Sequence, residues 1–150
     1  MRYIKKFNEA SSDSILKQEI QDFCEINLAY LMDDGMIVYV VRVDLEDHEG
    51  KTSGISKMCV DLAFRAINKP SGGVKWMDIK DHMIPFLTRL KAEYNLYDMD
   101  RYGHTYQLEV DRKPEHESGS FEYCLTIDGV IGEKESILET GIIKHIRFYI

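Results

Sequence analysis

No apolar run in these 150 residues approaches the 18 or so consecutive positions that span a bilayer, and no stretch joins a basic leader to an apolar core and a cleavage site. The expectation is a chain that neither crosses a membrane nor carries a recognisable secretion signal. Cysteine is scarce: Cys24, Cys59 and Cys124 lie far apart with no C-x-x-C pair. That spacing excludes a disulfide framework or a zinc knot and fits a reducing cytoplasm, with each cysteine acting as a small buried hydrophobe. Basic residues are in deficit, 19 Lys and Arg against 26 Asp and Glu, for a formal charge of −7. A general nucleic-acid binder needs the opposite excess to displace phosphate counterions, so a basic protein partner is easier to accommodate. Also missing are H-E-x-x-H, G-x-S-x-G, a phosphate-binding glycine loop and a dinucleotide fingerprint. No cofactor is implied.

What is present is enough for one domain over 1–150, since a chain of this length buries roughly 70% of its unfolded surface. The pattern is organised around 78–94, where Ile79, Met83, Phe86, Leu87, Leu90 and Tyr94 recur at helical spacing. Asp78 and Asp81 stand in its first turn and Arg89 and Lys91 later, the polarity that complements the peptide dipoles. Pro85 removes a backbone donor, so a kink there, or a short turn at 78–84 followed by a new helix, is expected. A first helix is predicted near 12–32: Ser11, Ser12, Asp13 and Ser14 supply N-caps, and Leu16, Ile20, Phe23, Cys24, Leu28 and Leu31 form the stripe. Gly35 suits the left-handed position beyond its end.

Strands alternate with period two. Over 36–45, Ile37, Tyr39, Val41, Val43 and Leu45 share one face, opposite Val38, Val40, Arg42 and Asp44. Over 57–67, Met58, Val60, Leu62 and Phe64 share a face, which favours a strand over the helix that Ala63 and Ala66 would allow, and the polar insert 46–54 makes the pair a long hairpin. Further strands are expected at 106–111, at 121–127 and at 142–150, where Ile142, Ile146, Phe148 and Ile150 oppose Ile143, His145 and Tyr149. A turn at Asp128-Gly129 and a helical turn over 133–138 precede the last strand. The order α-β-β-α-β-β-β is that of an α+β two-layer sandwich: a mainly antiparallel sheet with two helices on one face, and a possible αββ pseudo-repeat. The core is expected to contain Ile20, Phe23, Leu31, Val41, Val43, Phe86, Leu87 and Leu90.

Three groups bear on chemistry. His48 and His116 sit in the acidic turns Asp47-His48-Glu49-Gly50 and Glu115-His116-Glu117-Ser118-Gly119, residue types that bind divalent metal or shuttle protons, and His82, His104 and His145 stand apart from them. A metal centre would need the two turns to converge, and as solvated hairpin turns they assign no metal and no catalytic residue. The third group is Tyr94, Tyr97, Asp98, Asp100, Tyr102 and Tyr106, where aromatics offer rigid contact area and carboxylates steer encounter; it is the candidate protein-binding segment.

The opening Met1-Arg2-Tyr3-Ile4-Lys5-Lys6-Phe7-Asn8-Glu9 resembles the start M-[KR]-Y-I-K-x-F-x-E of uncharacterised small proteins of tailed bacteriophages, and Asp22–Glu25, Leu28–Leu31, Trp76–Asp81 and Ile84–Leu87 look like segments of such proteins. The resemblance implies an origin and no activity. Together with acidity and small size it makes the expected function that of a non-catalytic phage protein in the host cytoplasm that binds a host or phage protein, such as a host enzyme or defence component. Homo-oligomerisation stays open. One alternative is a virion or assembly component, since Phe7-Asn8-Glu9-Ala10-Ser11 resembles the sites cut by phage head-maturation proteases. Another is a metal-dependent hydrolase or nuclease using the His-carboxylate turns.

Overall fold

The computed structural model describes residues 2–46, 51–68, 72–97, 99–100, 105–106, 108–113, 121–139 and 142–150, with side chains described for 12–45, 51, 54–68, 72–97, 110, 123–136, 138–139 and 142–150. In chain order the elements are α1 (Arg2–Asp33), β1 (Ile37–Glu46), β2 (Thr52–Ala63), α2 (Trp76–Glu93), β3 (Met99–Asp100), β4 (Thr105–Tyr106), β5 (Leu108–Lys113), β6 (Phe121–Leu125), α3 (Ile127–Ile131), a 3-10 turn (Ser136–Glu139) and β7 (Ile142–Tyr149). The long elements keep the order α-β-β-α-β-β-β. The chain is an α+β domain in which the described strands pair antiparallel throughout.

Five strands form the main sheet in the order β1-β2-β7-β5-β6, and β3 and β4 make a separate two-stranded ribbon. The registers align Val38, Leu62, Ile146 and Val110 in one row and Val40, Val60 and Phe148 in the next. All seven are buried, and they share one hydrophobic core with Ile20, Cys24, Leu28 and Leu31 of α1 and Ile79, Met83, Phe86, Leu87 and Leu90 of α2. Both helices therefore cover the same face. Phe23 joins this core partly buried, tilted on Phe86 at 5.7 Å between ring centroids.

The first strand reverses the expected faces. Its core side is Val38 and Val40, while Val41 is exposed and Val43 half-buried. Both faces of 37–41 are apolar, so alternation alone does not say which turns inward; α1 packs over the even-numbered side, and Arg42 on that side reaches Asp13 of α1. In β7 the expected grouping also fails at one end. Ile143, expected opposite Ile146 and Phe148, is buried with them. The β5–β7 register slips between Asp111 and Arg112, passing over Lys144, and this bulge turns Ile143 back toward the core. Strand β2 keeps the expected face, with Met58, Val60 and Leu62 buried and Phe64 buried just past its end, but it runs over 52–63 rather than 57–67 and takes in part of the expected polar insert.

Helix α1 starts at Arg2, well before the predicted 12. Ser and Asp cost only some tenths of a kcal/mol inside a helix, so the polar run at 11–14 is passed through. Asn27 Nδ2 donates to the Phe23 carbonyl at 2.7 Å, inserting into the backbone ladder, and Leu28 next to it has non-helical angles (φ −121°, ψ 17°). The end is as predicted: Gly35 takes φ 113°, Met36 N–H donates to Leu31 O and Gly35 N–H to Met32 O, a Schellman closure. Helix α2 is continuous through Pro85, which lies on its exposed side where the orphaned carbonyl can be hydrated. The strand expected over 121–127 stops at Leu125, because Thr126 Oγ1 accepts from Gly129 N–H and caps α3.

Candidate protein-binding surfaces

Two of the six residues singled out for partner binding have described side chains. Tyr94 packs edge-on against Phe23 with centroids 5.4 Å apart, and its phenol is pushed above the ordinary range, first by burial and then by Glu19 and Glu93. Tyr97 donates its N–H to Tyr149 O at 2.8 Å, and the Lys57 ammonium lies 5.1 Å from its ring centroid. Both are built into the fold. Asp98 and Tyr102 lie outside the described residues, and Asp100 and Tyr106 are described only as backbone, in the ribbon that pairs Asp100 with Thr105 and Met99 with Tyr106.

The helix layer holds an exposed group that reading the sequence for core stripes passes over. Ile26 is 78% exposed and Tyr30, four residues on, is 63% exposed. The Tyr30 ring stacks on the imidazole of His82 from α2, with centroids 4.8 Å apart and planes inclined by 13°. Around them stand exposed carboxylates: Asp22 one turn before Ile26, Asp78 one turn before His82, and Asp81 beside it. Asp22 also accepts from Gln18 at 2.7 Å. Arg89 Nη1 donates to Asn27 Oδ1 next to Ile26 at 2.9 Å. An exposed aliphatic and aromatic pair with carboxylates at neighbouring helix positions can receive a basic, partly apolar surface. The available signal was that Ile26 and Tyr30 are large apolar residues off the α1 stripe and one helical turn apart.

On the opposite face of the sheet, β2 and β7 bring Asp61, His145 and Arg147 together. Arg147 Nη2 donates to Asp61 Oδ2 at 3.4 Å, and Arg147 Nη2 and His145 Nε2 stand 3.5 Å apart. His145 Nδ1 lies 4.0 Å from Asp61 Oδ1, too long for a hydrogen bond, so the imidazole is not oriented by this carboxylate as a general base would be. The backbone register sets Asp111 against His145 and Glu109 against Arg147.

A cleft of about 230 Å³ opens beside α2, lined by Trp76, Met77, Leu138 and three glutamates, Glu133, Glu135 and Glu139. Trp76 Nε1–H donates to Glu133 Oε1 at 3.2 Å and Lys80 Nζ to the same oxygen at 3.1 Å. These bonds, Lys80 first, hold the Glu133 carboxyl below its usual range.

The turn histidines His48 and His116, and His104, lie outside the described residues. Among the described residues no group of three or more His, Cys, Asp and Glu is arranged to hold a metal ion. Cys24 and Cys59 are buried and Cys124 half-buried; burial, with Glu25 alongside, pushes the Cys24 thiol up to about 12. Among the described residues no helix is long and apolar enough to cross a membrane. Comparison with models of known protein families, with curated proteins and with solved structures finds no match.

Proposed function

We propose that this chain is a non-catalytic phage-type protein that acts in the host cytoplasm by binding a host or phage protein with a basic, partly apolar surface. The observation that carries the reading is the stacked Tyr30–His82 pair with Ile26 one turn before Tyr30: Ile26 and Tyr30 are open to solvent, and the exposed Asp22, Asp78 and Asp81 occupy neighbouring positions on the two helices. Exposed aromatics in an otherwise polar setting are the residues that anchor protein interfaces, and surrounding charge sets the rate of encounter. The chain's −7 charge extends the same sign over the whole molecule. The segment Tyr94 to Tyr106, with Asp98 and Asp100, is proposed as a second acidic, tyrosine-bearing contact.

Parallel capture from host lysate separates these surfaces, using the wild-type chain, Ile26→Asp, Tyr30→Ala and Asp98→Asn/Asp100→Asn as baits. A partner retained by wild type and lost with Ile26→Asp or Tyr30→Ala supports the helix-layer surface. Its association rate should fall as salt rises toward physiological strength, where screening shortens to about 8 Å. A partner that binds every bait equally at all salt concentrations rejects the reading.

A further inference from the structure

Strand β1 is apolar on both faces yet stands at the edge of the sheet. Val38 and Val40 fill the core, while Ile37, Tyr39 and Val41 on the other side are 44%, 52% and 51% exposed. Such two-faced runs belong to strands covered on both sides. Among the described residues no strand lies along its second edge. Natural edges are blunted by lysine, proline, bulges or inward charges. In β1 these devices come only late: Arg42 and Asp44 are inward charges and the register irregularity follows Asp44, while 37–41 holds no charge, proline or glycine.

We infer that β1 pairs antiparallel with β1 of a second copy, about a two-fold axis at Val40, merging two five-stranded sheets into one of ten. A two-fold between antiparallel strands stands perpendicular to the sheet, so both helix layers fall on one side and both outer rows on the other. Centring on Val40 pairs 37–43 and leaves Asp44, the last residue in regular register with β2, outside the paired stretch. It sets Tyr39 against the partner's Val41 and Ile37 against the partner's Val43, each twice by symmetry. Aromatic with β-branched and paired aliphatic side chains are favourable cross-strand neighbours.

Local charge does not oppose a second copy at this edge. Two chains of −7 repel, but the paired stretch contains a single charged residue, Arg42, whose guanidinium is met within its own chain by Asp13. No like charges are brought into register. An interface of one strand per copy belongs to the small class, below about 1,200 Å², so the dimer is weak and concentration-dependent. Rising salt strengthens it by screening the net repulsion, the reverse of its effect on a charge-steered partner at Tyr30.

Sedimentation velocity over a concentration series at low and high salt tests this. The wild-type chain should move from 17.5 kDa toward twice that mass, at lower concentration when salt is high. Tyr39→Lys and Val41→Glu, both on the exposed row, should raise the half-dimerisation concentration about tenfold or more while circular dichroism and melts stay native, and Tyr30→Ala should leave it unchanged. The register is tested by mild oxidation: Ile37→Cys mixed with Val43→Cys should cross-link between chains, and neither alone should. A chain that stays monomeric at every concentration and salt, or a dimer that both charge variants leave intact, overturns the inference.

Discussion

Val40 and Val41 are neighbours in the chain and opposites in environment, 5% and 51% exposed, because α1 packs over one face of β1 and leaves the other open. Truncating them should separate cleanly. Val40→Ala should cost about 1.5–3 kcal/mol in lost burial and cavity, whereas Val41→Ala should stay under about 1 kcal/mol, a strand-propensity effect. Leu87→Ala and Leu90→Ala, at fully buried positions of α2, should cost about 2–5 kcal/mol each. Urea melts at low protein concentration measure all four, and equal losses at positions 40 and 41 would contradict the packing.

Protonation of Glu133 should be visible in the single tryptophan, because Trp76 Nε1 donates to its carboxylate. The folded-state carboxyl titrates below the ordinary 4.5, with Lys80 the main cause. A group depressed in this way contributes stability above its unfolded value and loses it as pH falls through the folded one. Trp76 emission should therefore titrate with a midpoint below pH 4.5 and lose that step in Glu133→Gln. A midpoint at or above 4.5 would mean that the Lys80 and Trp76 bonds do not hold in solution.

Thiol labelling should follow burial. At pH 8 Cys124 should react first, and Cys24, with its thiol pushed up to about 12, should stay silent until the chain unfolds, with buried Cys59 close behind it. Peptide mapping after timed alkylation reads the order directly.

Gly73 should resist substitution. It sits at φ 98°, and a β-carbon there would stand 2.4 Å from Ile142 Cγ2 and 2.6 Å from Ile143 O. The left-handed backbone alone costs an alanine about 1–3 kcal/mol, and the contacts with β7 add to that. Gly73→Ala should loosen the bridge in which Val74 and Ile143 exchange hydrogen bonds at 2.9 and 2.7 Å. Hydrogen exchange at those two amides should accelerate more than at Val60, in the middle of β2.

The parts of this fold that are legible in the sequence are those where one face is apolar and the other is not. Met58 to Phe64 alternates with Lys57, Asp61 and Arg65, so β2 could face only one way, and the α2 stripe was equally unambiguous. In β1 the same period occurs on both faces, and the orientation is decided by α1, which no local pattern encodes. The bulge at Lys144 likewise breaks the period without a glycine or proline to announce it. The candidate site is less legible than the core: Tyr30 and His82 are 52 residues apart in number, and their stacking depends on how α1 and α2 cross. Ile26 and Tyr30 had a local signal, since a soluble helix seldom spends two large apolar side chains away from its stripe.

The place of β7 sets the order in which the sheet can assemble. It is the last of the five strands along the chain and the middle one in space. β1 with β2 and β5 with β6 pair strands adjacent along the chain, steps that take microseconds. Joining them requires contacts such as Asp61 to Arg147, 86 residues apart, and folding rates fall as such separations come to dominate. Until β7 arrives, β2 and β5 each present an inner edge of unpaired backbone groups. The slot between them is the last part of the sheet to form, and the place where a foreign strand would compete with the chain's own.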